Sequence, residues 1–235
     1  MGDPLLNRFE KQIPMSCDQL LLVNSANWES TSGELRRFLR DADGDWKEVE
    51  SIIPVVLGRS GMAWGRGFHL ESPIEIPIKQ EGDGCSPAGL FELGTCFGRA
   101  PDFSANPDLP YRQATQSDYF VDDPESATYN RWVRWNSDGD QGKARNWESA
   151  ESMLREDDLY EFGIVVRHNM EPVVPAAGSA IFLHVWRNSS HPTAGCTAMS
   201  RERLIELLSW LDFSKHPFLL QIPDSEPSLE IGEKE

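Results

Sequence analysis

One stretch of the chain gathers residues able to do covalent chemistry: Gly178-Ser-Ala-Ile-Phe-Leu-His184-Val-Trp-Arg-Asn-Ser-Ser-His-Pro-Thr193-Ala-Gly195-Cys196-Thr-Ala-Met. An apolar run delivers a histidine, and a polar loop then delivers a cysteine behind a glycine. These types suit a thiol nucleophile and its base. A free thiol, with a pKa of about 8.5, is mostly protonated at neutral pH. A nearby imidazole can take that proton and make a thiolate. Gly195 gives the backbone freedom to turn tightly and lets a substrate approach. The amides around Gly195 and Cys196 could then point at a developing oxyanion.

The elements that must position these groups follow. Residues 179–185 read as a buried strand, apolar and bounded by Gly178 and a polar loop. His184 sits near its end, so the strand fixes the imidazole. The loop over 188–194 can fold back and bring Cys196 beside it.

His184 followed by Thr193-Ala194-Gly195-Cys196 resembles the active-site motif of the YkuD-type L,D-transpeptidases, a His, a spacer and Ser/Thr-His-Gly-Cys. Upstream, Lys79-Gln-Glu-Gly82-Asp-Gly84-Cys-Ser-Pro87-Ala-Gly89-Leu-Phe91 is similar to the Pro-x-Gly-x-Phe turn and strand of those domains. The resemblance spans roughly residues 20–222 and is closest to a branch reading Ile-Phe-Leu-His and Pro-Thr-Ala-Gly-Cys. It implies a cysteine acyltransferase acting on peptidoglycan stem peptides. Cys196 would be the nucleophile and His184 the base, with a thioester intermediate. No metal or organic cofactor is implied, and carbapenems would acylate the cysteine. The chain departs from the motif at Ala194, usually histidine, and at Ala198, often Arg or Asn, and its His-to-Cys spacing is short. Those departures bear on substrate contacts more than on the chemistry. Arg187, Trp186, Thr193 and His168 are the substitutes on offer, with Arg187 the better carboxylate partner because its planar fork binds bidentately.

Singly, each residue has a bland reading. A lone cysteine after glycine is usually a small buried residue, and a strand-end histidine is usually structural; it is the joint pattern that favours function. His168 could equally line the cleft or be structural. His191 reads as solvated loop first and cleft rim second, and His69 and His216 as structural or solvated. Three rival functions stay open: an L,D-carboxypeptidase with water as acceptor, a cytosolic thiol hydrolase, and a non-catalytic cell-wall binding module on the same fold.

With 235 residues and eight tryptophans, the chain can bury a sizeable core. A net charge of −16 argues against nonspecific nucleic-acid binding and against an anionic membrane surface. No run is long enough to span a membrane. The start lacks the basic and apolar regions of a signal peptide, and Leu6 replaces the Ser/Thr favoured for N-myristoylation. As written the chain reads as cytoplasmic; the resemblance favours a removed leader and the cell envelope or periplasm. The four cysteines form no metal signature. Pairing of Cys85 with Cys96 would require an oxidising compartment.

Coarse periodicity gives an irregular N-terminal extension over 1–18, one domain over 19–222 and an acidic disordered tail over 223–235. Strands are expected over 19–23, 52–57, 74–78, 90–93, 119–121, 160–166 and 218–222. Leu35, Phe38 and Leu39 follow helical spacing, but the Asp43-Gly44 hairpin signal favours two strands around it. Helices are expected over 147–155 and 200–212, the latter N-capped by Ser200. The sum is a mainly β fold, a sandwich with a few peripheral helices. Asp41-Ala-Asp43-Gly-Asp45 fails as a calcium loop, because Trp46 and Ile52 occupy the glycine and glutamate positions. The glycines from Gly58 to Gly67 lack the Lys-Ser/Thr of a phosphate loop and read as a turn or cleft wall. Asp122, Asp123 and Glu125 read as a solvated turn.

Overall fold

A computed structural model describes residues 3–68, 76–136 and 145–224. His69, the start of the strand expected over 74–78, and the tail beyond residue 224 lie outside the described residues. The fold is mainly β. In chain order the strands are β1 (Gln19–Ser25), β2 (Ser32–Arg40), β3 (Trp46–Val56), β4 (Met62–Trp64), β5 (Ser86–Gly98), β6 (Tyr111–Gln113), β7 (Asp118–Val121), β8 (Trp132–Arg134), β9 (Ala150–Ser152), β10 (Phe162–Val166), β11 (Phe182–Val185), β12 (Thr197–Met199) and β13 (Phe218–Pro223). Two short helices, α1 (Pro4–Phe9) and α2 (Arg201–Trp210), lie outside the sheets.

A ten-stranded sheet runs β10-β11-β12-β3-β2-β1-β13-β5-β4, with β6 joined to β5. It closes on itself through β5. The first half of β5 pairs with β13 from Gly89 to Glu92, and its second half pairs with β10 from Leu93 to Gly98. The two layers are thus joined by one strand, and the main core fills the space between them. A three-stranded sheet, β8-β7-β9, packs separately.

Side-chain alternation shows how the second sheet packs. On β10, Ile164 and Val166 enter the main core and Val165 the second cluster. On β11, Leu183 and Val185 enter the main core, while Phe182 joins Phe97, Phe120, Met153, Tyr160 and Cys196. Their rings meet edge to face, as Phe120 and Phe182 do at 5.1 Å. The small sheet is therefore seated by aromatic contacts on the outer face of β5, β10 and β11, the face on which His184 also lies.

The hairpin around Asp43-Gly44 forms as expected, with Asp41 Oδ1 accepting the amides of Asp43 and Asp45. The expected strand over 52–57 is the continuation of β3, which passes a bulge where Ser51 takes φ +88°. Helix α2 forms with Ser200 as its cap and Leu204, Leu207 and Leu208 buried. Three expectations need correcting. Residues 147–155 form no helix: β9 occupies the middle of the segment and pairs with β7, because cross-strand pairing and burial of Met153 outweigh local helix propensity. The N-terminal residues are not irregular throughout: Asp3 caps α1, and Leu5, Leu6 and Phe9 join the main core. Cys85 and Cys96 are both free. Cys85 precedes β5 and Cys96 lies near its far end, so the extended strand between them keeps the two thiols apart.

Candidate active site

The strand carrying the histidine is shorter than its apolar run suggested. It starts at Phe182, because Ala180 adopts φ +53° and breaks the extension. Strands β11 and β12 run parallel, pairing His184 with Ala198 and Leu183 with Thr197. This pairing brings the residue just before β12, Cys196, to the level of Phe182. The Cys196 thiol accepts the Phe182 amide at 3.4 Å and donates to the Ala180 carbonyl at 3.5 Å. Asn130 in turn accepts the Ala180 amide at 3.2 Å, which holds that carbonyl in place.

The cysteine loop is stapled to the glycine turn between β3 and β4. Thr193 exchanges backbone bonds with this turn, donating its N–H to the Leu57 carbonyl and accepting the Arg59 N–H, each at 2.8 Å. Ser86 Oγ accepts the Gly58 amide and donates to the Cys196 carbonyl, both at 2.9 Å. Thr193 Oγ1 donates to the same carbonyl at 2.6 Å and accepts the Gly195 amide at 3.1 Å. Gly195 has φ +152°, and a Cβ there would stand 3.1 Å from the Cys85 carbonyl oxygen. A side chain at this position is strained both by the backbone and by the contact.

Cys196 and His184 share a cleft of about 400 Å³ that Gly195, Thr193, Trp186 and Arg187 also line. Arg187 is exposed at the mouth, and so is His191, which forms part of the rim. His168 is placed elsewhere. It is buried, its Nδ1 accepts the Arg66 amide at 3.2 Å, and its Nε2 meets the Ala177 carbonyl at 3.0 Å. With Asn169, which binds the Val174 and Gly178 carbonyls, it braces the segment leading to Ala180. Both ring nitrogens are spent on backbone, so neither is left for a ligand.

The electrostatics of the pair are those of a dry interior. Burial pushes the Cys196 thiol up to about 12, against a smaller opposing pull from the Phe182 amide. Burial pulls His184 down to about 4, the Val185 carbonyl acting in the opposite sense. At neutral pH the free protein therefore holds a protonated thiol and a neutral imidazole, not a resting thiolate. His184 Nδ1 lies 2.8 Å from the Val185 carbonyl. In the tautomer that donates to Val185, Nε2 is the basic atom, and the Leu159 carbonyl also acts on the ring. The imidazole is not among the hydrogen-bond partners of the resting thiol.

Several groups in the cleft have no counterpart in the motif reading. Tyr160 stands edge-on to His184 at 5.3 Å, and its hydroxyl has no protein partner among the described residues. Burial raises Tyr160 well above the usual phenol range, and the neighbouring Cys196 charge adds to this. Arg155 lies 5.1 Å over the Tyr160 ring, pinned by both oxygens of Asp157 at 2.7 and 2.8 Å. Glu151 faces Arg155 at 3.4 Å, and burial raises its carboxyl. Arg59, Lys79 and Glu81 also line the cleft. Asp122, expected in a solvated turn, also lines the cleft, whereas Asp123 caps the amides of Glu125 and Glu148. Nothing in the local sequence marks these residues, because β7–β9 and the turn at Asp158–Tyr160 meet the cysteine only through the tertiary fold. Among the described residues no group of His, Cys, Asp and Glu could hold a metal ion, and no helix is long and apolar enough to cross a membrane.

Comparison with known proteins gives one match. The family model of the YkuD L,D-transpeptidase catalytic domain covers residues 36–222. No curated protein and no solved structure matches the chain. The matched segment runs from the middle of β2 almost to the end of β13 and contains both walls of the cleft. The chain belongs to the YkuD family of L,D-transpeptidase catalytic domains.

Proposed function

We propose that the protein transfers acyl groups between peptidoglycan stem peptides by L,D-transpeptidation, through a thioester on Cys196. The observation that carries this reading is the thiol at the cleft floor, fixed by the Phe182 amide and adjoining the strand that bears His184. The resting thiol is protonated, so its activation is coupled to substrate. A bound peptide expels water and draws the thiol proton from Ala180 toward His184 Nε2 as sulfur attacks the carbonyl. Catalytic hydrogen bonds that are loose in the free enzyme tighten in this way on binding. The carbonyl carbon gains the C–S bond, its oxygen takes the negative charge, and the imidazole holds the proton. Collapse expels the terminal amino acid as its amine, which takes that proton. An incoming amine then resolves the thioester, with His184 as base again.

The developing oxyanion needs donors. The Gly195 amide, expected to help, is already given to Thr193 Oγ1. The Cys196 amide and the Tyr160 hydroxyl are the donors we assign. Gly195 serves by its backbone conformation, and Thr193 by holding the loop. Arg187 at the mouth is suited to a stem carboxylate, beside Trp186 as an apolar wall. On this reading the protein works where peptidoglycan is, in the cell envelope.

The test is incubation with tetrapeptide stems ending in D-Ala, with and without an amine acceptor, followed by mass spectrometry. Loss of the terminal residue with a new cross-link is the expected result. Loss without a cross-link would make it a carboxypeptidase, and an unchanged stem would overturn the acyl-transfer reading.

A further inference from the structure

Asn130 lies in the connection between β7 and β8, only 1% exposed, and its side chain is fully committed. Its Nδ2 donates to the carbonyls of His168 at 2.9 Å and Asn169 at 2.8 Å, and its Oδ1 accepts the Ala180 amide at 3.2 Å. Two carbonyls on one side and an N–H on the other admit a single orientation of the amide. Its own backbone is left-handed, at φ +56°, a conformation that asparagine tolerates, and its N–H is anchored to the Val121 carbonyl at 2.8 Å. One side chain next to the small sheet thus ties together the end of β10 and the residue two before β11.

Ala180 is the residue that needs such a hold. It adopts φ +53°, a region that a residue with a Cβ enters at a cost. The apolar run over 179–185 would otherwise continue β11 toward its start and turn the Ala180 carbonyl out of line with sulfur. Two hydrogen bonds set the Cys196 side chain, one from the Phe182 amide and one to the Ala180 carbonyl. Phe182 is fixed by the sheet, opposite Val165 of β10. Ala180 lies outside that ladder, and its amide goes to Asn130.

We propose that Asn130 is a positioning residue for acyl transfer. By holding Ala180 in the left-handed conformation it aims the Ala180 carbonyl at the thiol and fixes where sulfur stands. It also keeps the thiol proton on a main-chain acceptor until a peptide draws it away. The proposal rests on reading Cys196 as the nucleophile. Asn130 is not among the described residues that line the cleft, so it acts through Ala180 and not on the peptide. The setting of the nucleophile is thereby made to depend on the seating of the small sheet.

The first readout needs no turnover: the rate at which iodoacetamide labels Cys196 in the full chain, located by digestion and mass spectrometry. Asn130→Ala lets Ala180 relax and removes the thiol's acceptor, a bond that favours the protonated form. Labelling at neutral pH should therefore quicken about tenfold, the scale of one lost hydrogen bond. The rate should be insensitive to low urea, since labelling through unfolding rises with denaturant. Adding Ala180→Gly, which takes the left-handed backbone without strain, should return the rate toward wild type. If Asn130→Ala does not fold, Ala180→Val carries the test from the other end. A β-branched residue disfavours positive φ, so this variant should also quicken labelling. The second readout is acyl transfer, where Asn130→Ala should lower kcat about tenfold and leave KM nearly unchanged. Labelling at the wild-type rate, faster labelling that Ala180→Gly does not reverse, or an unchanged kcat would each overturn the proposal. The expected labelling pattern in a chain whose wild type transfers no acyl group would sink the catalytic reading alone and leave the positioning of the thiol standing.

Discussion

Two walls of the same cleft are held by different forces. The wall bearing Cys196 and His184 is dry, and its positions are set by backbone amides and the hydroxyls of Thr193 and Ser86. The segment from β9 to Tyr160 is seated by the buried Met153 and Tyr160 and adds charge at the cleft, with Arg155 clamped between Asp157 and Glu151. Behind it, fully buried Asp118 gathers Arg112, Arg134, Trp132 and Thr115 and so ties β7 to β8. The dry wall keeps thiol and imidazole neutral. The charged wall keeps an aromatic hydroxyl and fixed ions in front of them. On the proposed mechanism, the pair stays neutral until a substrate fills the cleft.

If that division of labour is right, the largest loss comes from the dry wall. His184→Ala should lower acyl transfer by about 10² to 10⁴-fold, whereas His191→Ala, at the exposed rim, should change it little; steady-state rates on tetrapeptide stems decide. The pH profile sharpens the point. A base of pKa about 4 stays available well below the usual histidine range, so the acid limb of kcat/KM should fall near pH 4. A limb near the ordinary value of about 6.5 would mean that His184 is more solvated than its burial implies. Tyr160→Phe removes one oxyanion donor from the charged wall and should reduce kcat by about 10²-fold with little change in KM.

Next in size is the stability of the charged wall. Hydrogen bonds from Thr115, Arg134, Trp132 and Arg112 outweigh the burial that would raise Asp118, and hold its carboxyl well below the usual carboxylate range. Its stabilisation is therefore present above the unfolded pKa of about 4 and lost as pH falls further. Asp118→Asn should cost about 3 kcal/mol in urea denaturation at neutral pH, because it strands buried partners. The smallest effect is expected in the loop staple. Thr193→Val breaks the bonds to Gly195 and Cys196 and should cost about 1 kcal/mol.

The same contrast explains what could be read from the sequence. The dry wall is local: a strand-borne histidine, a glycine and a cysteine lie within one short stretch, and their spacing already suggests the chemistry. Helix α2 was equally legible from its cap and apolar periodicity, whereas β2 showed helical apolar spacing and only the Asp43-Gly44 turn signal favoured strands there. The charged wall is not legible in the same way. Glu151, Arg155 and Tyr160 lie within ten residues of one another, but their place at the cleft depends on the small sheet seating against Phe97 and Phe182, and Glu81 reaches the same cleft from a distant segment. His168 illustrates the reverse error. Its position after an apolar strand suggested a ligand contact, but both nitrogens went to backbone groups of a loop that sequence could not place. The commitment of the Gly195 amide to Thr193 is likewise a matter of loop geometry that residue types do not reveal.

The central claim is that a protonated, buried Cys196 becomes an acyl carrier only when peptide occupies the cleft. Its most direct test is intact-protein mass spectrometry after rapid mixing with a tetrapeptide stem ending in D-Ala, with digestion to locate the adduct. The account predicts a mass gain equal to the stem minus its terminal D-Ala, located on Cys196 and absent in Cys196→Ala. An adduct on another residue, or turnover that persists in Cys196→Ala, would contradict it.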